Sequence, residues 1–203
     1  MGKEGKLIAL KEDNTPGYSH AEKLHLFVDE ILKENQCVPE DLDAVAVSKG
    51  PGSYTGLRIG VSAAKGLCFS TDIPLIFVPT LEVLARQISF EETEFVVPML
   101  DARRMEVYTA GYQAGYTQVF ETCAKILDES SYVDLLDRGK VTFIGNGVEK
   151  FETICQHSNA VFQRGRLPSS REMVAMADEK FRNGVFEDVA YFEPYYLKDF
   201  MAG

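Results

Sequence analysis

The chain has 203 residues, 45% of them hydrophobic, and carries 31 acidic against 21 basic side chains for a formal charge of −10. At roughly 100–200 residues per domain it makes one large domain or two lobes, with core enough to need no disulfide or metal staples. Its acidic balance excludes a nucleic-acid grip by this chain alone, and its longest apolar runs, such as Ile76-Phe77-Val78-Pro79, are far shorter than the ~20 residues of a membrane span.

In chain order, the polar start MGKEGK has no signal-peptide pattern, which predicts a cytoplasmic protein. Lys6–Lys11 reads as a short strand, and Ser19 with Glu22 as a capping box. Ala21, Leu24, Val28 and Ile31, with Phe27 beside them, predict an amphipathic helix ending before Pro39. Ala44–Val47 reads as a buried parallel strand running into Gly50-Pro51-Gly52, followed by a helix over Tyr54–Phe69. Pro74–Val78 is a further strand, and Thr80 caps a helix bearing Leu81, Val83, Leu84 and Ile88. This alternation predicts an α/β sheet with crossover helices.

Beyond Glu94 the pattern changes. Phe95–Leu100, Glu106–Tyr112 and Thr117–Phe120 read as consecutive strands with short turns. A helix near Ser130–Arg138, a strand Val141–Ile144, a Gly145-Asn146-Gly147 turn and a helix near Arg171–Arg182 complete a second lobe. The predicted division is 1–97 and 98–203. Cys37, Cys68, Cys123 and Cys155 lack C-x-x-C spacing and read as reduced, mostly buried thiols; His20, His25 and His157 are scattered, so no metal site is expected.

The most informative segment is Lys49–Leu67. Gly50 and Gly52 allow a reversal after a buried strand, with Pro51 fixing φ between them. Ser53 and Thr55 are acceptors suited to the first-turn N–H groups of the next helix. Gly56, Gly60, Ala63 and Ala64 make a slim helix face. Three readings stay open: a phosphate cradle at Gly50, Gly52, Ser53, Thr55 and Arg58, close packing within one subunit, or a subunit interface. The spacing matches neither G-x-x-x-x-G-K-[ST] nor G-x-G-x-x-G. Asp101, Arg103 and Arg104 read as a salt-bridged junction between lobes, with anion binding as the alternative.

The run from Gly50 to Gly60 resembles the signature of the TsaB (YeaZ) family, together with His20-Ala21-Glu22-x-Leu24, Ala64–Leu67, Asp101–Arg104 with Val107-Tyr108, and Pro194–Lys198. The resemblance implies an α/β fold of two actin/hexokinase/Hsp70-like (ribonuclease H-like) ATPase lobes. It implies a non-catalytic dimerisation subunit of the complex that forms N6-threonylcarbamoyladenosine in tRNA. The expected partners are a catalytic TsaD-like paralogue and a TsaE-like ATPase, with a homodimer in isolation, tRNA reached only through the complex, and no membrane. No cofactor is expected on this chain alone, with ATP or ADP left open at the interface of the complex. The TsaD-like paralogue carries two metal-binding histidines in an H-L-E-G-H-like motif, where this chain has Thr80-Leu81-Glu82-Val83-Leu84.

Carried over, the pairing face uses His20, Leu24, Phe27, Val28 and Ile31 with Leu57, Gly60, Val61, Ala64 and Leu67, and Gly60→Leu is expected to break dimerisation while leaving the lobes folded. Family members begin with a strand ending in an acidic-hydroxyl turn and then a second strand, both lacking here. The expectation is that Met1 is an internal methionine and that the native product is longer by about 25 residues, two strands and their turns. A stand-alone ATP-binding kinase or ATPase of the actin-like superfamily is the alternative function, and Thr80 and Leu84 disfavour a metallopeptidase.

Overall fold

β3 (Val45–Gly50) and β4 (Leu75–Pro79) pair in parallel, with Val45 opposite Leu75 and Val47 opposite Phe77. The computed structural model describes residues 1–14 and 20–198, the side chains of residues 20–22 excepted. Two units emerge: Met1–Pro79 with Ser169–Tyr196, and Thr80–Pro168 with Leu197–Gly203, whose last five residues lie outside the described part. The expected boundary at residue 97 falls inside β5 (Phe95–Asp101), a strand hydrogen-bonded on both sides, so no division can pass there.

In the first unit, α1 (His20–Glu34) and α2 (Tyr54–Thr71) form as their periodicities predict. α2 buries Leu57, Val61, Ala64 and Cys68, at steps of four, three and four, and Val61, Ala64 and Cys68 join Val47, Leu75 and Phe192 in one core. The strand expected over Lys6–Lys11 shrinks to β2 (Lys6–Leu7), which pairs antiparallel with β1 (Gly2–Lys3). Lys11 instead reaches Glu30 and Glu34 of α1 at 2.7 and 2.6 Å. The Ser19–Glu22 capping box lies outside the described residues. α6 (Ser170–Arg182), expected in the second lobe, packs on β4 and the β1–β2 hairpin of the first unit.

The second unit is a five-stranded sheet in the order β7-β6-β5-β8-β9, with β6 (Glu106–Gln113), β7 (Thr117–Ile126), β8 (Val141–Gly145) and β9 (Ala160–Arg164). β5, β8 and β9 run parallel, and β6 and β7 antiparallel. The period-2 alternation of β5 sends Val97 and Met99 into a core with Phe143, Phe151 and Leu136, and Val96 and Leu100 into another with Leu81, Leu84 and Ile144. α3 (Thr80–Ala85) supplies the second core, while α4 (Val133–Leu136) and α5 (Val148–Glu152) supply the first. α3 stops short of Ile88, and Thr80 is its first residue rather than its cap. Gly145 has φ +133, and a Cβ there would lie 2.1 Å from the Met99 carbonyl oxygen, so β8 requires glycine to sit this close to β5. All four cysteines are free, but only Cys68 is buried; the other three are half-buried.

Candidate functional site

The glycine turn closes between β3 and α2. Gly50 has φ +112, and a Cβ there would lie 2.9 Å from the Tyr195 carbonyl oxygen and 3.1 Å from Leu57 Cδ1. Ser53 caps α2: its Oγ accepts the Gly56 N–H at 3.3 Å, and its carbonyl accepts the Leu57 N–H at 2.8 Å. Thr55 and Arg58 stand exposed on the first turns, and Gly52 is half-buried.

Onto this turn folds the end of the first unit. The Tyr195 N–H donates to the Lys49 carbonyl at 2.8 Å, and the Tyr196 ring packs on Tyr54 with centroids 5.0 Å apart. Arg58 lies 4.1 Å above the Tyr54 ring and donates through Nε to the Tyr196 hydroxyl at 3.2 Å, a bond that raises the guanidinium's pKa further. Two turns along α2 from Arg58, Lys65 Nζ donates to the carbonyls of Ala190 and Phe192 at 3.0 and 3.1 Å. The strap from residue 188 to 196 thus occupies the Gly50 side of the turn that the phosphate-cradle reading left for a ligand. Sequence reasoning missed it, although Pro194–Lys198 was one of the segments that carried the resemblance.

The expected pairing residues separate into two groups. Leu57, Val61 and Ala64 are buried within their own unit, so they line its core and not a free face. Gly60 also faces inward, since a Cβ there would meet Val47 Cγ2 at 3.8 Å; Gly60→Leu therefore presses on β3, contrary to the expectation that it spares the fold. Leu24, Phe27, Val28, Ile31 and Leu67 are half-buried, α1 lies against α2, and the His20 side chain is outside the described part. The outward side of α2 carries Arg58, Ser62, Gly66 and Phe69, and nothing lies within 4 Å of a Cβ placed on Gly66. Phe69 is 87% exposed and Leu26 of α1 57%. The signal for Phe69 was available: it lies about 110° around α2 from the core stripe 57-61-64-68, on the flank that leads to Gly66.

Asp101, Arg103 and Arg104 sit at the β5–β6 hairpin of the second unit. Asp101 Oδ1 accepts from Lys150 Nζ and, at 2.7 Å, from the Arg103 N–H. Partial burial pushes the Asp101 carboxyl up, but these two bonds and the fields of Lys150 and Arg103 outweigh it and hold the group below its ordinary value. The ion pair is internal to the second unit and uses Lys150, where the sequence pointed to Arg103 or Arg104 across a lobe junction.

Thr80 and Leu84 fill the two places where the paralogue's motif has histidines, and both are buried, Leu84 completely. A hydroxyl and an isobutyl group there supply no borderline donor, so the residues present do not fit that metal. Among the described residues no group of three His, Cys, Asp or Glu side chains could hold a metal ion, and no helix is long and apolar enough to cross a membrane.

Residues 17–202 match the family model for TsaD, tRNA N6-adenosine threonylcarbamoyltransferase. The tRNA threonylcarbamoyladenosine biosynthesis protein TsaB of Escherichia coli is 30% identical over 190 residues, 90% of this chain and 82% of that protein. The TsaB protein of Bacillus subtilis is 43% identical over 95 residues, 47% of this chain and 41% of that one. Among solved structures, YeaZ from Pseudomonas aeruginosa superimposes with a TM-score of 0.76 at 27% identity, covering 88% of this chain and 84% of the other.

Proposed function

Because the chain belongs to the TsaB (YeaZ) family, we propose that it is a non-catalytic subunit of the machinery that forms N6-threonylcarbamoyladenosine in tRNA. It pairs with a catalytic TsaD-like paralogue in the cytoplasm, and a TsaE-like ATPase joins the assembly. In isolation the chain pairs with its own copy.

One observation carries the reading. The transferase family model spans residues 17–202, and the two places to which the resemblance assigns the paralogue's histidines hold buried Thr80 and Leu84. A chain with the transferase's architecture but without those two imidazoles supports a role in pairing over one in catalysis. The surface offered for pairing is the outer side of α1 and α2, with Leu26, Gly66 and Phe69 joining the half-buried Leu24, Phe27, Val28, Ile31 and Leu67. The strap seated on Gly50 argues that the turn serves packing more than phosphate binding.

The test is reconstitution. Purified paralogue and tRNA are assayed for threonylcarbamoyl transfer with and without this chain. Transfer that depends on the chain, with no ATP turnover by the chain alone, is the expected result. Full transfer in its absence rejects the subunit role, and ATP turnover by the isolated chain points to the kinase or ATPase alternative.

A further inference from the structure

The β5–β6 hairpin turns through three residues, Arg103, Arg104 and Met105, closed by bonds from the Ala102 N–H to the Glu106 carbonyl (3.1 Å) and from the Glu106 N–H to the Arg103 carbonyl (3.2 Å). Arg103 has φ +70 and Arg104 φ +50, two consecutive left-handed residues at positions that glycine or asparagine fill without strain. The reversal itself does not select arginine at either place. Nor does charge pairing. Asp101, just before the loop, is bonded to Lys150, and Glu106, just after it, to Lys198. The Arg103 guanidinium adds only a through-space pull on Asp101, whose carboxylate is bonded by the Arg103 backbone N–H, and neither guanidinium has a hydrogen-bond or ion-pair partner among the described residues. In a chain with 31 acids and 21 bases, two adjacent exposed arginines left unpaired at a strained tip are out of keeping with the rest.

We propose that the Arg103–Arg104 hairpin tip is an RNA-backbone contact, its two guanidiniums binding phosphodiester groups of the tRNA once the chain is held in the modifying assembly. The proposal rests on the functional reading above. Guanidinium forks match phosphate oxygens bidentately, and a tip of two side chains is enough for such a contact. A docked protein is the poorer fit. Among the described residues the exposed large apolar side chains at this end of the sheet are Met105 (39%) and Ile126 (72%), too little for an interface of about 800 Å² per partner. The acidic remainder of the chain keeps this contact from gripping RNA by itself.

The experiment measures labelled tRNA binding to the assembled complex of this chain and the paralogue by anisotropy, from 50 to 200 mM salt. Wild type is compared with R103Q/R104Q and with the turn-optimised R103N/R104G. Both variants are expected to bind about tenfold more weakly at the low-salt end, with the slope of log K against log salt shallower by about 1.4, the value for two phosphates of a single strand. R103N/R104G should at the same time melt higher, by about 5 °C, because it relieves the left-handed strain; that rise also excludes misfolding as the cause of weaker binding. Unchanged affinity and slope in complexes that assemble normally overturn the proposal. So does loss of assembly with the paralogue, which would make the tip a protein contact. If the wild-type chain does not assemble with the paralogue, the functional reading falls together with this inference; if it assembles but adds nothing to tRNA affinity, or the variants retain the gain, only this inference falls.

Discussion

Substituting Gly60 and Gly66 of α2 separates packing inside the first unit from association outside it. Both glycines are interior to the helix, where alanine is favoured by about 0.5–1 kcal/mol. At Gly60 a methyl group meets Val47 Cγ2 at ordinary contact distance, 3.8 Å, so Gly60→Ala gains the helix term plus up to about 0.8 kcal/mol of burial. Gly60→Leu pushes three further carbons toward the same valine and costs about 1–3 kcal/mol of overpacking, which erases the helix gain. At Gly66 a Cβ meets nothing within 4 Å, so alanine and leucine both keep a helix gain of about 0.5–1 kcal/mol. Urea denaturation should therefore rank Gly66→Leu at or above wild type, and Gly60→Leu below Gly60→Ala by about 1–4 kcal/mol. Sedimentation velocity on the same proteins should show Gly66→Leu shifted toward monomer, since its side chain rises from the face that carries Phe69. A Gly60→Leu protein as stable as wild type, or a Gly66→Leu protein that unfolds early, would refute the assignment of α2's two sides.

Two more outcomes follow from the second unit. Gly145→Ala should leave it unfolded, with far-UV circular dichroism and solubility as readouts. It needs a methyl 2.1 Å from the Met99 carbonyl at φ +133, a combined strain and clash well above the ~3 kcal/mol of an ordinary severe mutation. On the alkaline side, burial raises the Tyr112 and Tyr132 phenols well above their usual 10, with the Glu82 field adding to it at Tyr112. A raised folded-state pKa contributes stability that is present below the unfolded value and lost as pH climbs past it. Stability should thus be insensitive to these groups up to pH 9 and fall by up to about 2.7 kcal/mol per unit above pH 10. Y112F/Y132F should flatten that slope; an equally steep fall in the double variant would place its cause elsewhere.

Helices long enough to show a 3.6 period were legible in the sequence, and α1, α2 and α6 came out close to their expected bounds. So were the apolar strands β3, β4, β5 and β8. α5 and β9 were not. Five residues each, with Val148 and Phe151 as the only buried pair on α5, give too little pattern to count. The site was half legible. The glycine turn and its Ser53 cap follow from local chemistry, whereas Leu57, Val61 and Ala64 were placed on the wrong side, because an apolar stripe says that a helix is covered and not by what. Asp101 beside Arg103 and Arg104 suggested a pair; its actual partner, Lys150, is 49 residues away. The strap of residues 188–196 shares no local pattern with the turn it covers, and only tertiary packing joins them.

The strap also sets an order of events during synthesis. The second unit is drawn almost wholly from one stretch, Thr80–Pro168, while the first needs both Met1–Pro79 and Ser169–Tyr196. Chains emerge N-terminus first, so the half made earlier matures later. Until Phe192 arrives, the inner stripe of α2 lacks one of its core neighbours, and Leu75 lacks its bridge to Glu187. Chains truncated between residues 168 and 188 should carry a nearly complete second unit and an exposed, chaperone-binding first one.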